Sequence, residues 1–285
     1  MRVVALGDSI TAGFGDPIPG GGWRGWAALL AAALAPPGAV HFHNLAHSGA
    51  LTNDVADRQL PVAQRLRPDV ATVVVGINDT LRAGFDADLV GERLDRIVRL
   101  LAAAGTVVLT ARLPDPGLML GLPATLARPL SRRIHAVNTA ADIVATRYGT
   151  VHFDAAAHPA TYDRRMWSID RLHPSERGHR LLACCYADLL GARGMPVYRR
   201  PDPEPENPEP TRRAQLWWLA TQGTRWVLRR STDLVPALLG MALADAGRRR
   251  FGDGEPAPGH LRGSPALLTP EDLSCRSTRS ATASR

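Results

Sequence analysis

Short apolar runs alternate with helical stripes through the first 198 residues of the chain. Residues 3–6 (Val-Val-Ala-Leu), 40–45, 70–75, 106–110 and 150–153 read as strands. The run at 70–75 is strongly β-branched, as a strand buried on both faces would be. Between the strands lie helical patterns. Residues 23–34 are rich in Ala and Leu. Leu89, Arg93, Leu94, Ile97, Val98 and Leu101 recur at helical spacing behind the acidic start at Asp86 and Asp88. Ile134, Val137, Ala141, Val144 and Tyr148 form another stripe, and residues 178–190 a last one. Five short strands alternating with helices predict an α/β fold of three layers, α/β/α, with a flavodoxin-like parallel sheet. Ligands in such sheets sit at the carboxyl ends of the strands.

At Arg199 the pattern breaks. Pro201, Pro203, Pro205, Pro208 and Pro210 alternate with polar, mostly acidic residues, so 199–210 reads as a stiff, extended linker after a domain at 1–198. Residues 211–251, with Trp217, Trp218 and Trp226, read as a helical extension rich in Trp and Arg; 252–285, built of Pro, Gly, Ser, Thr and Arg, read as a disordered tail. The extension has two readings: a peripheral membrane surface, or helices that dock on the core or on a second copy of the chain. Docking is preferred, because the arginines do not gather on one helical face.

Composition changes this picture little. The net charge is +7, and every basic residue is arginine. The arginines are spread along the chain, which argues against a nucleic-acid surface. No secretory leader and no apolar run long enough to span a membrane is evident, so the expected location is cytoplasmic. Three cysteines, two of them the adjacent Cys184 and Cys185, suggest neither a disulfide framework nor a metal site; that pair reads as small core residues. The histidines at 41, 43, 47, 135, 152, 158 and 179 have no metal-ligand spacing, so neither metal nor cofactor is expected.

The candidate chemistry lies at the strand ends. Gly7-Asp8-Ser9 follows the first strand, His47-Ser48-Gly49-Ala50 the second, Gly76-Ile77-Asn78-Asp79 the third, and Asp170-Arg171-Leu172-His173 follows the fifth after a loop. A serine on a strand-to-helix turn has backbone N–H groups beside it that can hold an anion. These four blocks, in this order, resemble the SGNH (GDSL-type) hydrolases over roughly residues 3–190. The resemblance implies a serine esterase with Ser9 as nucleophile, His173 as general acid and base, and Asp170 orienting His173. It also implies an oxyanion hole made of the Ser9 N–H, the Gly49 N–H and the Asn78 side-chain amide. Glycine suits position 49 because a side chain would obstruct close backbone approach. Asp8 and Asp79 read as structural residues that bond turn amides.

The partner implied is a small ester; lipid-like or short acyl groups are favoured. Two alternatives stay open: an acyltransferase with the same triad, and a non-catalytic scaffold whose tail does the docking. Phe14 and Trp23 are candidate wall residues, whereas Trp26 is better explained by packing of the first helix. Tyr162, Met166 and Trp167 are candidates for the opposite wall. The connection at 113–130, apolar and rich in Pro and Gly, reads as a lid loop that shapes an apolar pocket.

Overall fold

A computed structural model of the protein describes residues 1–207 and, alone beyond them, Gly240. Five strands form one parallel sheet: β1 (Arg2–Gly7), β2 (His41–Asn44), β3 (Val70–Val74), β4 (Val107–Arg112) and β5 (Val151–Asp154), in the order β2-β1-β3-β4-β5. This is the flavodoxin-like order, whose switch point lies where the chain leaves β1 and β3. β1 and β3 are inside the sheet and almost wholly apolar, because helices cover both their faces. β2 is one of the two edge strands, and His41 and His43 alternate onto its exposed side.

The helices are α1 (Ser9–Ala12), α2 (Gly25–Leu34), α3 (Thr52–Asp54), α4 (Leu60–Leu66), α5 (Ile77–Thr80), α6 (Ala87–Ala103), α7 (Pro116–Leu120), α8 (Ala124–Tyr148) and α9 (Glu176–Ala192). A π-helical turn, Val55–Gln59, joins α3 to α4. α2 and α9 pack together on one face of the sheet; α6 and α8 pack together on the other, beside the π turn and α4. Buried Val, Leu, Ile and Ala from both faces make one continuous core. Burying each Val, Leu or Ile side chain contributes about 1.5–3 kcal/mol before entropy is counted.

The expected strands all form, with ends shifted by a residue or two. The connection at 113–130 departs from its reading as an open loop. It holds α7 and the first turns of α8, which starts ten residues before the apolar stripe does. Asp115 caps α7 by accepting from Gly117 and Leu118, and Leu130 closes a small separate cluster with Leu81, Leu122 and Leu126. Pro129 lies inside α8, but so near its start that the carbonyl left unpaired belongs to the exposed Thr125. Cys184 is buried, whereas Cys185 is partly exposed. Among the described residues no helix is long and apolar enough to cross a membrane. The helical extension at 211–251, the tail at 252–285 and the end of the linker lie outside the described residues.

Candidate active site

β1 ends in Gly7, whose φ is +152°; an added Cβ would stand 2.5 Å from the Val74 carbonyl oxygen. Only glycine allows β1 and β3 to approach so closely at the turn. Asp8 then caps α1, its Oδ1 accepting from the Ile10 N–H at 3.0 Å. This leaves Ser9 as the first residue of the helix, 8% exposed.

The His173 loop lies between β5 and α9. It is pinched shut by a bridge between Trp167 and Pro174, with Ser168 N donating to the His173 carbonyl (2.8 Å) and Ser175 N to that of Met166 (2.8 Å). Arg171 holds a left-handed conformation (φ +58°) between Asp170 and His173, a strained backbone for a side chain of that size. His173 Nε2 lies 2.8 Å from Ser9 Oγ, and His173 Nδ1 lies 2.6 Å from Asp170 Oδ2. The other carboxylate oxygen of Asp170 accepts from Ser168 Oγ, Leu172 N and His173 N at 2.6, 2.9 and 3.0 Å. Burial pushes Asp170 up, but the bond and charge of His173, with the other donors, outweigh it and hold the carboxyl at about 2. An ionised carboxylate only accepts. The Nδ1 atom of His173 therefore carries the proton, and Nε2 is free to accept from the Ser9 hydroxyl.

The remaining two blocks meet at Asn78, beside Asp8. Asn78, on α5, donates through Nδ2 to the Ala50 carbonyl (3.1 Å) and weakly to Asp8 Oδ2 (3.4 Å). Asp79 accepts from the Thr52 N–H and hydroxyl, which fixes α3 against α5. Asp8 and Asp79 thus bond local donors, as expected. Burial raises both their pKa values, that of Asp8 to about 6. Among the described residues the N–H groups of Ser9 and Gly49 have no acceptor. Gly49 has a φ of +78°, a left-handed conformation that favours glycine, and a Cβ there would meet no protein atom within 4 Å.

Phe14 lies against His173, with ring centroids 5.4 Å apart, and Trp23 stacks on Phe14 at 5.1 Å. Trp26 is buried and stacks on Tyr186 at 4.9 Å, so it is a packing residue. Met166 and Trp167 line an apolar cavity of about 60 Å³ that also touches Ile10 and Pro174, the neighbours of Ser9 and His173. Tyr162 is exposed and accepts from Asp115 N.

Two site-building residues carried no signal in the sequence. Gln59, buried in the π turn, accepts from Gly7 N and donates to Gly7 O, both at 2.9 Å. Its amide takes the place of a strand partner at the end of β1. His179 accepts at Nδ1 from Trp26 N (3.2 Å), so its proton is on Nε2, which donates to the Phe14 carbonyl at 2.8 Å. Burial lowers this histidine to about 4 and keeps it neutral. Among the described residues no three His, Cys, Asp or Glu side chains lie together so as to hold a metal.

A model of the GDSL-like lipase/acylhydrolase family matches residues 5–181. Among solved structures, a lipase/acylhydrolase from Enterococcus faecalis is 23% identical, with a TM-score of 0.52 over 72% of this chain and 100% of that one. An alpha/beta hydrolase from the metagenome of Lake Arreo, Spain, is 23% identical, with a TM-score of 0.52 over 68% and 95%. A variant of the acetyl xylan esterase from Geobacillus stearothermophilus is 20% identical, with a TM-score of 0.52 over 70% and 96%. These structures share the fold. No curated protein matches the chain.

Proposed function

Because the chain belongs to the GDSL-like lipase/acylhydrolase family, we propose that it cleaves carboxylic esters through an acyl-enzyme on Ser9. The unbroken line from Asp170 through His173 to Ser9, at 2.6 and 2.8 Å, carries this reading. Ser9 Oγ attacks the ester carbonyl while its proton passes to His173 Nε2. Asp170, held ionised, stabilises the imidazolium that results. The negative charge that develops on the carbonyl oxygen is met by Ser9 N–H, Gly49 N–H and the Asn78 amide. Among the described residues the first two have no acceptor. Asn78 can turn from Ala50 and Asp8 toward the oxyanion. Each such donor is worth about 2.7–4 kcal/mol in the transition state. His173 then protonates the departing alcohol and activates water for release of the acid.

The aromatic wall of Phe14 and Trp23 beside His173 supports an apolar acyl or alcohol group as substrate. The test is hydrolysis of p-nitrophenyl esters from acetate to octanoate by the wild type and by Ser9→Ala, with added alcohols to detect acyl transfer. Turnover lost in Ser9→Ala, together with fluorophosphonate labelling of Ser9 in the wild type, is the expected result. Turnover that survives Ser9→Ala would overturn the proposal.

A further inference from the structure

The stretch after α9 does more than leave the domain. Residues 199–207 run along the α2/α9 face as an extended strap. Arg199 N donates to the Ala33 carbonyl (3.1 Å), Arg200 pairs with Asp188 (2.8 Å), and Arg180 Nη1 donates to the Asp202 carbonyl (2.9 Å). The strap ends in a cluster of charges at the start of α9. Glu176 accepts from the backbone N–H groups of Glu206 and Asn207 at 2.6 and 2.9 Å, and from Arg24 Nη2 at 3.0 Å. The Glu206 carboxylate lies 2.7 Å from Arg24 Nη1 and 2.6 Å from Arg180 Nη2.

This cluster is the base of a hairpin. Residues 16–24 fold back on themselves through a bridge between Pro17 and Trp23, with glycines at the tip. Asp16 and Arg24 close the hairpin with an ion pair at 3.0 Å, and Asp16 is fully buried. Asn207 Nδ2 reaches the Pro17 carbonyl at 3.3 Å. The hairpin carries Trp23, which stacks on Phe14, which lies against His173. Gly15, between Phe14 and the hairpin, is packed so tightly on Pro174 that a Cβ would collide with its carbonyl oxygen. A side chain 197 residues from the nucleophile thus joins the support of the aromatic wall.

We infer that Glu206 and Asn207 are positioning residues of the ester site: by completing the cluster of Asp16, Arg24, Glu176 and Arg180 they hold Phe14 and Trp23 beside His173, and so set how well apolar esters bind. This rests on the ester-hydrolase reading. Glu206 touches neither Ser9 nor His173, so its effect falls on KM more than on kcat. The side chain is 66% exposed, which keeps the effect moderate and makes a folded variant accessible.

The experiment compares the full-length wild type with Glu206→Gln and Glu206→Arg. The second places a third guanidinium against Arg24 and Arg180 and expels the end of the strap. Hydrogen exchange of the peptide covering residues 13–26 reads the hold on the wall, and KM for a hexanoate ester reads its consequence. Glu206→Arg is expected to quicken exchange there and to raise KM by about three- to tenfold, with Glu206→Gln between it and the wild type. Unchanged exchange overturns the inference, as does faster exchange with unchanged KM. A wild type that turns over no ester and is not labelled at Ser9 overturns the ester reading instead; the exchange data still decide whether the strap holds the wall.

Discussion

Replacing Asp170 by asparagine would move one proton without changing the shape of the catalytic line. Three donors, Ser168 Oγ, Leu172 N and His173 N, point at Asp170 Oδ1. In Asp170→Asn the amide oxygen must take that position, since turning the NH₂ toward three donors would leave them all without an acceptor. The NH₂ then faces His173 Nδ1, which must accept. The imidazole proton moves to Nε2 and points at Ser9 Oγ, so His173 can no longer take the serine proton. A loss of about 10⁴ in kcat is expected, roughly 5 kcal/mol at 1.4 kcal/mol per decade.

The same substitution costs stability in a defined pH window. Asp170 is held at about 2 in the fold, against 3.8 for an unperturbed group. A depressed acid stabilises the fold above its unfolded pKa and loses that contribution as pH falls through the folded value. The variant should therefore be less stable by about 2 kcal/mol at pH 7, and the gap should close between about pH 4 and pH 2. Kinetics on p-nitrophenyl butyrate measure the first effect, and urea denaturation at pH 7 and pH 2.5 the second. A fall in kcat of less than tenfold in a folded variant would refute the tautomer argument.

Two other buried groups near the serine give predictions of their own. Burial raises Asp8 to about 6, so its ionisation costs the fold stability that is present below about pH 4 and lost as pH rises through 6. Asp8→Asn should raise stability at pH 7.5 by about 1–3 kcal/mol relative to its effect at pH 4, while lowering kcat, because a charge favouring the His173 imidazolium is lost. Thermal melts at the two pH values check this, and a pH-independent difference would contradict it. Gln59→Leu removes both partners of the Gly7 peptide groups. It should lower stability by about 2–4 kcal/mol and slow phosphonylation of Ser9; a loss under about 1 kcal/mol in urea denaturation would show that water replaces the amide.

Much of the fold could be read because burial leaves a direct mark. The strand at β3 is apolar but for Thr72 since helices cover both its faces, and the four candidate blocks each follow a strand whose end the sheet gathers to one edge. The line of Ser9, His173 and Asp170 was legible for that reason, as was the approach of Asn78 to Asp8. Gln59 was not, because the π turn shifts the helical register and takes a polar residue inside. The start of α8 was hidden by Pro129 and by exposed, weakly apolar first turns. For residues 199–210, proline content predicts an extended linker. It said nothing of what that chain lies on, since hydrogen bonds to Glu176 and Arg180 leave no periodic trace.

The distance along the chain between Ser9 and its base, 164 residues, has a consequence for synthesis. Ser9 leaves the ribosome well before His173, directly behind a strand whose two sheet neighbours follow it. His173 arrives only after β5, on a loop that α9 must anchor. On the proposed mechanism the serine stays an ordinary alcohol until then, and a nascent or truncated chain is expected to carry no activated nucleophile.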